Sequence, residues 1–278
     1  MATVAGLKRR LDSVRTEVRY AFRAKLLGRR VERPPIAIVG CGHSGTTLLL
    51  SILDAHSAIF GVPYEAKLGK SEGAEFRRKT ALFDKLTIAA GKSRWLEKTP
   101  ANVFHLDRLF EYLPELKVIV MVRDGRDVAC SMRVRFEESM GGREAAFAHG
   151  VGRWLDENAR WLEHKDDRRL LMVKYEDLVK NFESTMTTVA SFLGEACEPA
   201  LLEFHRSKQN YLHNAPVDTA PAPTQQHINE LRNWQVHQPL FDGSGRWRTD
   251  MSDQEKRVFK ARAGDLLIAF NYVKDLDW

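Results

Sequence analysis

Residues 36–50 of this chain read IAIVGCGHSGTTLLL: an apolar run, a glycine-rich loop and the start of an apolar helix. The run Ile36–Val39 has no polar side chain, which is typical of a strand buried on both faces of a parallel sheet. The loop contains three glycines: Gly40, Gly42 and Gly45. Glycines allow tight turns that bring backbone N–H groups close to a ligand, and a helix opening at Thr46 points its positive end to the same place. The stretch therefore predicts an anion cradle.

The cradle differs from that of an ATP or GTP enzyme at one position. Gly40 and Gly45 have the spacing of a P-loop, but Thr46 stands where such an enzyme places the lysine that contacts the β- and γ-phosphates. We therefore expect the loop to bind an anion other than a nucleoside triphosphate. A plain glycine turn between a strand and a helix is the alternative.

A second apolar run, Lys117–Val122, predicts another buried strand, and it ends in the polar segment RDGRD at residues 123–127. Arg123 would lie at the carboxyl edge of the sheet, where α/β folds bind ligands, and Ser131 about two turns into the next helix. A guanidinium fork and a hydroxyl so placed can hold a phosphate. A charged turn with local ion pairs is the other interpretation of these residues.

Together, HSGTTLL at residues 43–49 and VRDGRDVACS at residues 122–131 resemble the sulfotransferases that use 3′-phosphoadenosine 5′-phosphosulfate (PAPS). The resemblance extends from about Pro35 to the last residue. It implies that Arg123 and Ser131 hold the 3′-phosphate. It also implies that the first motif holds the 5′-phosphosulfate, with Gly42 in the cradle and the following residues around it: His43, Ser44, Gly45, Thr46 and Thr47. Many members of this family carry lysine or arginine where this chain has His43.

Two further segments fit the same family. The strand predicted at residues 170–174 leads into Tyr175-Glu176-Asp177, which resembles a segment whose tyrosine lies near the adenine; an acidic helix N-terminus is the alternative. Residues 243–248, GSGRWR, resemble the basic loop that closes over the 3′-phosphate. This resemblance nominates Arg246, Trp247 and Arg248 as nucleotide ligands, and a surface loop anchored by its tryptophan is the alternative.

Sulfuryl transfer to a hydroxyl needs a base for the attacking oxygen and positive charge near the leaving oxygen. Lys98, at the end of a short predicted strand and before Thr99-Pro100, resembles the lysine that contacts the bridging oxygen in this family. An acidic residue is expected in the segment FGVPYEAK, residues 60–67, and Glu65 is the candidate base. His105 is a reserve base, since it follows Lys98 by two turns if the segment is helical. No metal is required.

Composition places the chain among ordinary proteins of one large domain: it has 278 residues, 44% of them hydrophobic and 29% charged. Three widely spaced cysteines suggest neither a disulfide framework nor a zinc site, and fit a reducing compartment. No apolar run has the roughly 18 residues that span a bilayer. We expect a cytoplasmic protein, peripheral to a membrane if the N-terminal segment binds one.

The N-terminal segment, residues 1–33, has a net charge of +7, which leaves −1 for residues 34–278. Its apolar residues recur at helical spacing: Val4, Leu7, Leu11, Val14, Val18 and Phe22. We predict a basic amphipathic helix here and a single catalytic domain over residues 34–278. The helix fits packing on the domain or on a second subunit, and contact with an anionic membrane surface is the alternative. We expect no nucleic-acid partner.

Strands and helices alternate along the catalytic domain. We predict strands at 36–40, 94–98, 117–122 and 170–174, and helices at 45–55, 76–90, 101–112, 125–139, 144–164 and 176–193. An irregular acceptor loop is expected at 56–75, and residues 210–226, which contain three prolines, could form a lid over the acceptor. The alternation predicts an α/β fold: a three-layer, P-loop-like sandwich with a central parallel sheet flanked by helices.

These features predict an enzyme that transfers the sulfuryl group of PAPS directly to a hydroxyl and releases PAP (3′-phosphoadenosine 5′-phosphate). The resemblance to the bacterial, Golgi-type and tyrosylprotein sulfotransferases implies a carbohydrate, glycolipid or other small acceptor, with a tyrosyl or phenolic acceptor as the nearer alternative. A P-loop nucleoside-phosphate kinase and a non-catalytic protein that binds PAP or PAPS are the alternatives from other classes.

Overall fold

A computed structural model describes residues 30–206 and 238–278 of the chain. The predicted N-terminal helix lies almost entirely outside the described residues, and so does the predicted lid at residues 210–226. Within the described ranges, no helix combines the length and the hydrophobicity needed to cross a membrane.

A five-stranded parallel sheet forms the centre of the fold, in the order β2-β3-β1-β4-β5. Its strands are β1 (Ile36–Gly40), β2 (Ile59–Gly61), β3 (Arg94–Lys98), β4 (Lys117–Val122) and β5 (Leu170–Lys174). Four of them coincide with the predicted strands. The prediction placed residues 59–61 in an irregular loop and was wrong there, because a strand of three residues is too short to show a pattern.

Helices cover both faces of the sheet. The α-helices are α1 (Thr46–Asp54), α2 (Gly73–Ala89), α3 (Leu106–Tyr112), α4 (Gly125–Phe136), α5 (Arg143–Leu162), α6 (Tyr175–Lys180), α7 (Phe182–Leu193), α8 (Pro199–Leu202), α9 (Trp247–Asp250) and α10 (Asp253–Ala269). Short 3-10 helices occupy Leu68–Lys70, Pro100–His105 and Phe204–Arg206.

Two helical predictions need correction, and one long helix was missed. The helix predicted at 101–112 begins as a 3-10 helix and becomes α-helical only at Leu106. The helix predicted at 176–193 is interrupted at Asn181 and forms α6 and α7. Helix α10 was not predicted, although it opens with a capping box in which Ser252 and Glu255 exchange hydrogen bonds.

The core consists of two layers, one on each side of the sheet. Alternate residues of β1 point to opposite faces: Ala37 and Val39 join one cluster, and Ile36 and Ile38 join the other. The first cluster includes side chains of α4, α5 and α10, and the second includes those of α1, α6 and α7. This is the three-layer α/β sandwich predicted from the sequence. Since all five strands are parallel, their carboxyl ends meet at one edge.

Candidate active site

The glycine-rich loop leaves β1 at this edge and turns sharply against β4. Gly40 has a φ of 127°, and a Cβ atom there would clash with the carbonyl oxygen of Met121. Gly45 has a φ of 88°, and its Cβ would lie 2.8 Å from the Tyr175 ring. Both positions therefore require glycine. The turn delivers the chain into α1, whose N-terminus begins at Thr46.

The loop has the properties of an oxyanion site. Ser44 has no exposed surface, and its Oγ atom has no hydrogen-bond partner within the described residues. A buried hydroxyl without a hydrogen-bond partner destabilises the fold, and a hydrogen bond to a ligand oxygen would remove that cost. His43 adopts a left-handed conformation with a φ of 69°, and its Nδ1 lies 2.8 Å from Oγ of Ser131. The residues of the loop therefore fit a phosphate or sulfate group.

A cavity of about 460 Å³ opens above the loop. Ten of the residues predicted from the sequence line it: Gly42, His43, Gly45, Thr46, Thr47, Glu65, Arg123, Ser131, Tyr175 and Arg246. They come from segments that are far apart in the chain, and the parallel sheet brings them to one edge. The structure thus places most of the predicted cofactor ligands and the candidate base around the same space.

Arg123 joins three walls of the cavity. Its guanidinium lies 4.3 Å from the centre of the Tyr175 ring, within the range of a cation–π contact. The same group donates hydrogen bonds to the carbonyl oxygens of His43, at 3.3 Å, and Gly243, at 2.7 Å. Arg123 therefore connects the cradle, the start of α6 and the basic loop at residues 243–248.

Asp127 holds the basic loop in place from below. Its carboxylate accepts hydrogen bonds from the backbone N–H groups of Gly245, at 2.7 Å, and Trp247, at 2.9 Å. Burial raises the pKa of this carboxyl, and the two N–H groups oppose that shift. Asp127, the second aspartate of RDGRD, therefore fixes the position of the basic loop, a role that the sequence did not indicate.

Lys98 and Glu65 form an ion pair at the floor of the cavity. Nζ of Lys98 lies 2.6 Å from Oε1 of Glu65. The Lys98 side chain is 6% exposed, whereas that of Glu65 is 45% exposed and lines the cavity. The pair thus presents a carboxylate to the cavity and keeps the ammonium just beneath it.

The segment that carries Glu65 is docked on residues next to Lys98. The backbone N–H groups of residues 66, 67 and 69 donate to side chains of the neighbouring segment, at 3.0–3.1 Å: Ala66 to Glu97, Lys67 to Thr99 and Gly69 to Asn102. Glu97 also accepts hydrogen bonds from Oγ1 of Thr99 and from Nδ2 of Asn102. Complete burial raises the pKa of Glu97 to about 7, although the hydrogen bonds from Thr99 and from the backbone of Ala66 oppose the shift.

Five predicted residues lie outside the cavity lining. Ser44 and Lys98 are buried beneath it. His105 packs against the Gly69 segment, and its prediction assumed α-helical turns, whereas residues 100–105 form a 3-10 helix. Trp247 and Arg248 face a different hollow, on the other side of their short helix. Among the described residues, the side chains of His105, Trp247 and Arg248 therefore do not line the cavity above the cradle.

The sequence did not indicate several residues that line the cavity: Arg135, Phe136, Arg153 and Phe241. Arg153 projects from α5 toward the cradle, where its Nη2 lies 3.2 Å from the position of a Cβ atom on Gly42. It pairs with Glu157 one turn later, and Glu157 accepts a hydrogen bond from the N–H of Gly42 at 3.0 Å. A charged pair four residues apart on an amphipathic helix gives no sequence signal that separates it from a surface pair.

A sequence model described as "Sulfotransferase family" matches residues 67–199, which include Lys98, Arg123, Ser131 and Tyr175. Nearly half of the chain therefore matches the sulfotransferase family model. Mouse and human Sulfotransferase 4A1 are 30% identical to it over 99 residues, which is 31% of this chain and 34% of those proteins. Rat Sulfotransferase 2A2 is 28% identical over 128 residues, 42% of this chain and 44% of that protein. The matches thus cover less than half the length of these curated relatives.

Solved structures of sulfotransferases share the fold of this chain. The sulfotransferase domain of the Synechococcus PCC 7002 olefin synthase aligns with a TM-score of 0.64 at 19% identity, over 88% of this chain and 97% of that domain. Mouse sulfotransferase SULT7A1, crystallised with PAP, aligns with a TM-score of 0.56 at 19% identity, over 86% and 85% of the two chains. At these identities the likeness establishes a common fold.

Proposed function

We propose that this protein is a sulfotransferase, which transfers the sulfuryl group of PAPS to a hydroxyl group. The observation that carries the proposal is the convergence of three parts on one cavity: the anion cradle, the Arg123–Ser131 pair and the Lys98–Glu65 ion pair. The crystal structure of mouse SULT7A1 with PAP supports the nucleotide, because that protein shares the fold.

In the proposed complex, the cradle and the N-terminus of α1 hold the 5′-phosphosulfate, with the Ser44 hydroxyl as one donor. Arg123 and Ser131 hold the 3′-phosphate, and Tyr175 lies beside the adenine ring. Arg246, 72% exposed, closes over the nucleotide from the basic loop. Arg153 adds a cation next to the cradle, so the loop does not depend on the charge of His43 alone.

For the reaction, we propose that Glu65 accepts the proton of the acceptor hydroxyl as its oxygen attacks sulfur. Lys98 then donates a hydrogen bond to the oxygen that leaves with PAP, where negative charge develops. The 2.6 Å contact between these side chains supports the proposal, because the base and the cation must both come within reach of one sulfuryl group.

For the acceptor, we propose a carbohydrate, glycolipid or other small hydroxyl compound, on the resemblance to bacterial and Golgi-type enzymes. The cavity adds Phe136 and Phe241 to the wall around Glu65 and the cradle, and such apolar rings can pack against an acceptor. A phenolic or tyrosyl acceptor is the nearer alternative. We also propose a cytoplasmic location, and contact of the N-terminal segment with a membrane surface or a second copy.

Incubation of the full chain with sulfur-labelled PAPS and a panel of acceptors tests the proposal. The panel contains neutral oligosaccharides, glycolipids, a simple phenol and a tyrosyl peptide. We expect label on one class of hydroxyl, and inhibition by added PAP. Calorimetry with PAP is the matched binding experiment. Absence of PAP binding would refute the nucleotide assignment, and PAP binding without any transfer to acceptors or fractionated cell extract would favour a non-catalytic binding protein.

The kinase alternative predicts a different result. Thr46 occupies the position of the P-loop lysine, so we expect neither ATP hydrolysis nor phosphate transfer from ATP. Phosphate transfer that PAP does not inhibit would support the kinase and contradict the proposal.

A further inference from the structure

A second hollow, of about 710 Å³, lies on the far side of the turn that carries Arg246. Five cationic side chains line it, with one side-chain carboxylate, that of Asp253: Arg126, Arg248, Lys256, Arg257 and Lys260. Asp253 pairs with Lys256 at 3.3 Å. Asp253 and Asp124, which pairs with Arg126, offset two of the five positive charges, and the remaining excess of three attracts anions.

Arg126 is a buried arginine in the wall of this hollow, and its neighbours hold it in place. Its side chain is only 3% exposed, and the guanidinium packs against two indole rings that meet edge to face, 3.8 Å from the centre of Trp247 and 4.4 Å from that of Trp278. Nε and Nη2 donate to the carboxylate of Asp124. Nη1 has no hydrogen-bond partner within residues 30–206 and 238–278.

Trp278 supplies a second donor without an acceptor. Its indole Nε1 is buried and makes no hydrogen bond to any described residue. Lys260 lies over the same ring, 4.9 Å from its centre, and Arg248 lies 4.8 Å from the centre of the Trp247 ring. Buried donors normally have partners, so two such donors at one basic hollow indicate a missing acceptor.

We propose that this hollow is a second anion site, which binds a ligand bearing phosphate or sulfate esters. Arg126 and Trp278 donate to the oxyanion, and Lys256, Arg257 and Lys260 provide the surrounding charge. Tetrahedral oxyanions suit a guanidinium flanked by lysines. The site is separate from the proposed nucleotide cavity, because Arg246 faces one and Trp247 and Arg248 face the other.

Titration calorimetry with pyrophosphate, and separately with sucrose octasulfate, tests this site on the full chain. The test variant is Lys256→Ala/Lys260→Ala, which leaves the buried Arg126 and both indoles in place. The matched control is Arg78→Ala/Lys85→Ala, which removes two exposed cations from α2. We expect the wild type and the control to bind at least one probe with equal affinity, and the test variant to bind it about tenfold more weakly, as the loss of two charge-assisted contacts implies.

The affinity for PAP, measured on the same proteins, tests the proposed nucleotide cavity and should be equal in the wild type, the test variant and the control. A failure of one proposal can therefore be told from a failure of the other. If neither probe binds the wild type, the second site does not exist. Equal binding by the test variant and the wild type, or an equal loss in the control, would also overturn it, because the attraction would then be a general effect of net charge.

Discussion

Nζ of Lys98 and Oε1 of Glu65 lie 2.6 Å apart, although the two residues are 33 positions apart in the sequence. Lys98 ends β3, whereas Glu65 belongs to the segment that follows β2, the strand beside it. The contact exists because neighbouring parallel strands end at the same edge of the sheet. The proposed chemistry rests on this pair, and its two members can be tested independently.

Replacement of Lys98 by alanine should abolish most turnover and leave nucleotide binding largely intact. The ammonium acts on charge that develops in the transition state, so we expect kcat to fall by roughly 10²- to 10³-fold. The affinity for PAP, measured by calorimetry, should change little. Lys85→Ala, which replaces an exposed lysine on α2, is the control. Turnover by Lys98→Ala within a few-fold of the wild type would remove Lys98 from the mechanism.

Replacement of Glu65 by glutamine keeps the size of the side chain and an acceptor for Lys98, but removes the base. We expect kcat to fall by about 10²- to 10⁴-fold with unchanged affinity for PAP. The pH profile of kcat should also lose the limb in which the wild type gains activity as its base ionises. Glu111→Gln changes an exposed glutamate away from the site and should have no effect. A variant that keeps the wild-type profile would show that another group is the base.

Glu97 should make the stability of the fold depend on pH. Its pKa is about 7 in the folded chain against an ordinary value of 4.5, so between these values the folded chain holds a proton that the unfolded chain has released. Stability from this group is therefore greatest below pH 4.5 and is lost as the pH rises to 7, by at most about 1.4 kcal/mol per pH unit.

Urea unfolding at mildly acidic, neutral and mildly alkaline pH checks this expectation. The free energy of unfolding of Glu97→Gln should fall less steeply over this range than that of the wild type, since glutamine does not titrate. Glu111→Gln should retain the wild-type slope. Parallel curves for the wild type and Glu97→Gln would mean that Glu97 is ionised throughout.

Asp127→Asn tests the tether of the basic loop. Asparagine retains one acceptor and places an NH₂ group against the other backbone N–H, which costs about 1–3 kcal/mol of stability for an unsatisfied buried group. We expect a lower melting temperature and weaker binding of PAP, by roughly tenfold if one charge-assisted contact of Arg246 is lost. Asp265→Asn, on the exposed face of α10, is the control. A variant with wild-type melting and binding would show that the two hydrogen bonds do not position the loop.

The sequence was sufficient for those parts of the site that local patterns encode. Buried strands produce continuous apolar runs, and the cradle requires glycine at Gly40 and Gly45, so both were predictable from neighbouring residues. The meeting of Arg123 and Ser131 with the cradle followed from the rule that parallel strands end at one edge. The α/β sandwich followed from the alternation of strands and helices.

Other parts of the site depend on where side chains point in the folded chain, which the sequence does not specify. The 3-10 helix after Pro100 has three residues per turn, so the two-turn argument that linked His105 to Lys98 does not hold. Arg246 and Trp247 are adjacent in the sequence but face two different hollows, since consecutive residues of a helix point about 100° apart. Arg153 reaches the cradle only because α5 packs against α4, a tertiary contact.

The docking of residues 66–69 bears on how acceptor preference can change during evolution. All three donors in that contact are backbone N–H groups, and all three acceptors belong to the segment from Glu97 to Asn102. Substitutions at Lys67 or Leu68 therefore leave the hydrogen bonds that deliver Glu65 in place. A lineage can diversify this loop toward new acceptors while the proposed base stays where the reaction needs it.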